Sequence, residues 1–105
     1  MNLKSQLVFA ALVSPIAMTA VHAADGPAIA AANQCTACHA VDKKLIGPSL
    51  KDIAAKYKSD AAAPDQLVAS IKNGSKGKWG AMAMPANSRI SDDDAHAVVA
   101  WILTQ

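Results

Sequence analysis

Five consecutive residues of the chain have the spacing C-x-x-C-H: Cys35-Thr36-Ala37-Cys38-His39. Two thiols separated by two residues can each form a thioether with one vinyl group of a haem, and the histidine that follows can then bind the iron. Few other chemistries use this spacing. The pentapeptide therefore predicts a covalently attached c-type haem with His39 as one iron ligand.

Three other kinds of site use a close pair of cysteines. A redox-active pair of the thioredoxin kind is expected near a βαβ pattern, yet the residues around Cys35 are alanine-rich and no alternating strand precedes them. A structural zinc site needs four ligands, and the chain has no second cysteine pair and only His22 and His96 besides His39. A structural disulfide from Cys35 to Cys38 has poor geometry at this spacing and leaves His39 without a role. Haem attachment is favoured over all three.

A methionine in the second half of the chain is expected to bind the iron from the other side. Residues 74–87 form a Gly-rich loop that contains Met82 and Met84. Methionine is most often a core filler, but beside a haem held by one histidine it is a common second ligand, and it raises the reduction potential. The two methionines are two residues apart and would face the same way in an extended segment, so spacing does not choose between them.

The first 23 residues are typical of a secretory leader. Lys4 lies in a short polar start, residues 7–20 are mostly apolar, and Val21-His22-Ala23 fits a small-residue cleavage site. The apolar run is shorter than the roughly 20 residues that span a bilayer. We therefore expect residues 1–23 to be cleaved, with no membrane span in the mature protein and residues 24–105 forming one small domain. Export agrees with a c-type haem, which bacteria attach outside the cytoplasmic membrane.

The composition of that domain points to a cofactor in its core. Without Lys4, nine Lys and Arg stand against eight Asp, and this near balance does not favour nucleic acid as a partner. Tyr57, Trp79 and Trp101 are the aromatic residues of the mature segment, a thin supply for a core of this size. A haem would provide the missing apolar area, so we expect the haem-free chain to be largely unfolded.

Apolar spacing predicts an all-α domain of about four short helices with no convincing strand. The last helix is the clearest, because Ser91 can cap it and Asp94 stands three residues on, as in a capping box. The first is expected to begin near Pro27, with Asp25 as its cap, and to end before the cysteine motif. The other two are expected at 50–57 and 64–73. The predicted inward-facing residues are Ile29 in the first helix, Leu67, Val68 and Ile71 in the third, and Ala95, Val98, Val99 and Ile102 in the last.

Together these features make the mature segment resemble a small class I bacterial cytochrome c of the cytochrome c-551 type. The resemblance covers residues 24–105. The matching residues are Cys35-Thr-Ala-Cys-His39, Ile46-Gly-Pro48, Lys72-Asn-Gly-Ser75, Lys78-Trp-Gly80, Met84-Pro85, Asn87, Ser91-Asp-Asp93 and Trp101.

The resemblance implies a fold of about four helices wrapped around one haem c, held by Cys35 and Cys38, with His39 and Met84 as the two iron ligands. It also assigns three supporting residues. The Pro48 carbonyl would accept the free N–H of the histidine and fix its ring. Asn87 would touch the methionine sulfur, and the Trp79 indole would donate to a haem propionate. The implied site residues are Cys35, Cys38, His39, Pro48, Trp79, Met84 and Asn87.

The function that the resemblance implies is that of a soluble periplasmic electron carrier. An iron with both axial positions filled by protein has no open site for substrate, so we expect a carrier and not an enzyme. The expected partners are redox proteins: a membrane complex or cytochrome as donor, and a terminal reductase or oxidase as acceptor. We expect a monomer. The alternative is a gas-binding or peroxidatic haem protein with a displaceable sixth ligand.

Docking is expected through the haem edge, where small apolar residues lie near several lysines. These lysines can steer an acidic partner or simply be solvated. Ser70 departs from the family pattern, since some members have an arginine there that pairs with a propionate. His96 is expected on the polar face of the last helix, exposed to solvent. The expected contact residues are Ile46, Ala81, Ala83 and Ala86, and the flanking lysines are Lys43, Lys44, Lys72, Lys76 and Lys78.

Overall fold

The computed structural model describes residues 25–105, and the leader expected over residues 1–23 lies outside this range. Within it the only β pairings are two isolated bridges, so the all-α prediction is confirmed. No helix in the described part of the chain is long and apolar enough to cross a membrane. The elements are α1 (Gly26–Ala32), a 3₁₀ turn (Cys35–Ala37), α2 (Leu50–Tyr57), α3 (Ala63–Asn73) and α4 (Asp92–Ile102).

Serine caps fix the starts of two helices. The Ser91 hydroxyl accepts a hydrogen bond from the Asp94 N–H at 3.1 Å, as the sequence predicts, and Ser49 caps α2 in the same way through Asp52. The prediction that Asp25 caps α1 is wrong. Its backbone is itself helical (φ −81°, ψ −12°), whereas a capping side chain needs an extended backbone, and it makes no side-chain cap.

Helix α4 is the centre of the packing, because α1, α2 and α3 all contact it. The predicted stripe is buried, and Val98 and Val99 are each 1% exposed. Ala97, outside that stripe, is also 1% exposed, because α1 covers it. The Gly26 backbone lies so close that a methyl group there would overlap Trp101. The predicted inward-facing residues of α3, namely Leu67, Val68 and Ile71, are buried, and Ile29 of α1 is half-buried.

Candidate cofactor site

A cavity of about 350 Å³ is lined by residues from all four helices and from the two long loops between them. This volume falls within the range of roughly 300–1,000 Å³ that is usual for small-molecule and cofactor sites. The helices contribute apolar side chains, among them Leu50, Leu67 and Val98. Six of the seven predicted site residues line this one cavity: Cys35, Cys38, His39, Pro48, Trp79 and Met84.

The cysteine motif forms a tight turn at the end of α1. The Cys35 carbonyl accepts hydrogen bonds from the N–H groups of Cys38 and His39, at 3.2 and 3.0 Å. Both cysteines are half-buried free thiols. Burial raises the pKa of the Cys35 thiol above its ordinary value, and the nearby Cys38 adds to the rise. Catalytic thiols of the thioredoxin kind have a lowered pKa, so the environment of Cys35 does not favour a redox-active pair.

The loop between the motif and α2 holds the His39 ring in one orientation. Its Nδ1 lies 2.7 Å from the Pro48 carbonyl oxygen. Because a carbonyl only accepts hydrogen bonds, Nδ1 carries the proton and Nε2 keeps its lone pair free to bind a metal. The adjacent Gly47 donates its N–H to the Cys38 carbonyl at 2.8 Å, which ties this loop to the motif. Sequence reasoning assigned no role to Gly47, although it stands between two residues of a matching motif.

Met84 is fixed by its backbone and Met82 is not. The N–H of Met84 donates to the Ser75 carbonyl at 2.9 Å, and the Ser75 N–H donates back at 3.1 Å. Its half-buried side chain packs against the core. Met82 also lines the cavity, but 69% of it is exposed to solvent. The geometry therefore favours Met84 as the donor of a sulfur ligand, a choice that spacing left open.

Asn87 is the one predicted site residue that does not line the cavity. Its N–H donates to the Ile71 carbonyl at 2.8 Å, and its side-chain amide donates to the Asn33 carbonyl at 3.4 Å. These bonds join the second loop to the end of α3 and to the residue that follows α1. In this structure Asn87 positions the loop that carries Met84.

Lys56 and Lys72 make contacts that the sequence did not show. Lys56 of α2 places its ammonium 4.5 Å from the ring centre of Trp79, which is 37% exposed, and donates to the Lys78 carbonyl at 3.1 Å.

Lys72, one of the lysines that flank the expected docking segments, is paired with Asp92. The hydrogen bond from this lysine, followed by its positive charge, lowers the pKa of the Asp92 carboxyl. Of the two alternatives for this lysine, steering or simple solvation, neither describes it, because Lys72 is paired.

The remaining histidine of the described chain lies away from the site. His96 is exposed on α4, as expected. Within residues 25–105 no three side chains of the types His, Cys, Asp and Glu come together as a metal cluster. One imidazole and one thioether beside a paired Cys-x-x-Cys suit a c-type haem.

Comparisons with known proteins point to one family. The model of the family described as cytochrome c matches residues 23–105. The chain is 49% identical over 71 residues to cytochrome c-551 of Pseudomonas aeruginosa, covering 68% of this chain and 67% of that one. It is 51% identical over 76 residues to cytochrome c-552 of Nitrosomonas europaea, covering 72% and 74%.

Solved structures give the same result for the fold. The crystal structure of wild-type Nitrosomonas europaea cytochrome c552 superimposes with a TM-score of 0.73 at 50% identity, covering 74% of this chain and 96% of that one. The class 1 cytochrome MtoD of Sideroxydans lithotrophicus superimposes with a TM-score of 0.69 at 32% identity, covering 81% and 97%.

Proposed function

Since the chain belongs to the cytochrome c family, with the small class I fold of the c-551 type, we propose that it is a mono-haem electron carrier and not an enzyme. The observation that carries this proposal is a single cavity lined by the Cys-x-x-Cys pair, an imidazole with Nε2 free, and a methionine anchored by its backbone. A bound haem c would supply a centre that accepts and releases one electron.

Different residues of the chain are proposed to have different roles in holding the haem. Cys35 and Cys38 are proposed to bind it through thioether bonds, which tie it to the turn after α1. His39 and Met84 are proposed as the two residues that would bind its iron. The Pro48 carbonyl keeps the imidazole in one tautomer, and such an outer hydrogen bond also makes the ring a better donor. With both of these ligands supplied by the protein, the iron would have no open position for a substrate.

The apolar cavity wall supports electron transfer in a second way. Side chains of α2, α3 and α4 exclude water from one side of the site, and a nonpolar shell around an iron centre influences its reduction potential. Low polarity raises the potential, and a methionine ligand raises it as well. We therefore propose that the chain works as an acceptor and donor at a relatively high potential for a haem centre.

Partner docking is proposed at the exposed apolar rim. Ile46 is 60% exposed and Met82 is 69% exposed, and both lie at the cavity. The neighbouring Lys43 and Lys44 are also exposed and give this side a positive charge. A small interface of this kind suits brief contacts with redox proteins, namely a respiratory donor and a terminal reductase or oxidase.

The compartment is proposed to be the periplasm, reached by way of the leader over residues 1–23. The family match begins at residue 23, next to the expected cleavage site. N-terminal sequencing or intact mass of the exported protein tests both points together, because cleavage after Ala23 leaves a chain that starts at Ala24 and is heavier by one haem. An uncleaved or haem-free chain would contradict the proposal.

An absorption spectrum tests the central function against its rival. The carrier is expected to be low-spin, with a weak near-infrared band from iron–sulfur bonding in the oxidised protein. It is expected not to bind carbon monoxide unless denaturant is added. A high-spin spectrum that shifts with carbon monoxide in native protein would support the gas-binding or peroxidatic alternative. Colourless protein with two titratable thiols would remove both.

A further inference from the structure

Lys78 is held at the cavity by a buried hydroxyl. Its ammonium donates to the Ser70 Oγ at 3.1 Å, and both residues line the cavity. Ser70 is 8% exposed and donates its own proton to the Gln66 carbonyl at 3.1 Å. Its lone pairs are therefore left to accept from the lysine. A lysine fixed by a buried side chain differs from the usual solvated lysine, whose ammonium moves freely in water.

The backbone of Lys78 is fixed as well. Lys56 donates to the Lys78 carbonyl at 3.1 Å and lies over the ring of Trp79, which joins this segment to α2. Contacts on two sides thus hold Lys78 at the edge of the site, one from α3 through Ser70 and one from α2 through Lys56.

No carboxylate of the described chain pairs with this ammonium. The one ion pair within residues 25–105 is formed by Lys72 and Asp92. An ammonium has three N–H donors, and the bond to Ser70 uses one of them. The other two stand at the rim of a mostly apolar cavity, where the interaction with an anion is stronger than in bulk water.

We propose that Lys78 binds a carboxylate of the haem, with Ser70 as its positioning residue. This inference rests on the proposed function, since it concerns how the same cavity holds the same group. A haem carries two carboxylates, which need cations or donors where they meet the protein surface. Lys78 then neutralises charge at the site, which replaces the steering role that the sequence suggested for it.

The test is the midpoint reduction potential of the purified holoprotein. A fixed cation favours the reduced iron, which carries one positive charge less, so Lys78→Met is expected to lower the potential. Lys76→Met is the matched control, because it removes an equal charge, two positions away, from a residue that does not line the cavity. It is expected to cause a smaller shift, screened by salt. Lys78→Arg is expected to keep most of the potential, and Ser70→Ala to lower it less than Lys78→Met.

Outcomes separate this inference from the proposed function. Each variant must first retain the iron–sulfur band, which shows that the fold and ligands are intact. Equal shifts in Lys78→Met and Lys76→Met, both abolished by salt, would overturn the assignment of Lys78 while leaving the electron carrier in place. Wild-type protein without covalent haem would overturn the proposed function itself.

Discussion

Gly47 lies so close to the His39 imidazole that a β-carbon at this position would be 2.5 Å from Cε1 and 2.9 Å from Nδ1. The next residue, Pro48, accepts the hydrogen bond from the same ring. Two consecutive residues thus fix the imidazole by different means, one by contact and one by hydrogen bonding. A glycine is required here because of its size, since its φ is not among the positive values of the described backbone.

Replacing Gly47 by alanine is expected to displace the imidazole. The added methyl group overlaps the ring, and overpacking of this kind costs about 1–3 kcal/mol. The hydrogen bond to Pro48 should lengthen, so both the free energy of unfolding and the reduction potential of the holoprotein should change. Denaturant titration and redox titration measure these two quantities.

Gly77→Ala is the control for the Gly47 variant. A β-carbon at Gly77 meets nothing within 4 Å, but the residue has a φ of 74°. Its cost should be about 1 kcal/mol of backbone strain. Because Gly77 also lines the cavity and precedes Lys78, this variant controls only for the free energy of unfolding. If Gly47→Ala leaves the potential unchanged, the contact with His39 does not tune the iron.

Met84→Ala is expected to abolish the near-infrared sulfur band and to lower the reduction potential, because it removes the proposed second ligand. Met82→Ala should keep both, since its side chain is mostly exposed. Absorption spectra and redox titration of the two variants make the comparison. Loss of the band in Met82→Ala alone would show that Met82 is the ligand and that the assignment to Met84 is wrong by two positions.

The chain without haem is expected to be largely unfolded. A variant that lacks both attachment thiols, Cys35→Ala with Cys38→Ala, leaves the apolar cavity without its covalently held group, and the remaining core is small. Far-UV circular dichroism should show the loss of most helix relative to the holoprotein. A cooperative thermal transition in the double variant would show that the helices pack without the cofactor.

The pair of Lys72 and Asp92 is expected to make stability depend on pH. The pKa of Asp92 is lower in the folded state than its ordinary value, so the ionised form stabilises the fold above that value. This stabilisation is lost as the pH falls through the folded pKa. Denaturant titration should therefore show Asp92→Asn less stable than wild type at neutral pH, with the difference vanishing in strong acid.

Asp93→Asn is the matched control for the ion pair. It lies in the same first turn of α4, so it removes the same favourable interaction with the helix dipole and no bond to Lys72. Equal losses in the two variants would mean that the dipole, and not the pair, accounts for the effect.

Electron transfer to an acidic partner is expected to slow as ionic strength rises, because Lys43 and Lys44 are exposed beside the apolar rim. Stopped-flow kinetics over a salt series measures this dependence. Lys58→Gln serves as a control variant, since Lys58 follows α2 and does not line the cavity. A rate that is indifferent to salt would remove electrostatic steering from the docking proposal.

Local sequence signals predicted most of the fold. Three of the four helices begin or end where a cap, a proline or a glycine predicts, because these residues act within one turn of the chain. Gly74, with a φ of 80°, ends α3 in this way. The burial of Ala97 was missed because an alanine carries little hydrophobic signal and its neighbour comes from a distant helix. Asp25 was misassigned because its residue type suits a cap while its backbone does not.

The site was predictable to a similar degree and for similar reasons. The Cys-x-x-Cys-His spacing is local and specific, so it could be recognised directly. The anchoring of Met84 by Ser75, the contact between Gly47 and His39, and the position of Lys56 over Trp79 depend on loops that fold back over the cavity. Such contacts join residues that carry no shared pattern in the sequence.

The close approach of Gly26 to Trp101 brings the two ends of the described chain near each other. Gln105 folds back to donate its side-chain amide to the Trp101 carbonyl at 3.0 Å, so the start of α1 and the last residue are neighbours in space. A short peptide could join them, and new termini could be opened in the exposed turn at 58–62, between α2 and α3. Such a circular permutant would keep every helix contact and both loops of the cavity, which separates the connectivity of this fold from the architecture that holds its cofactor.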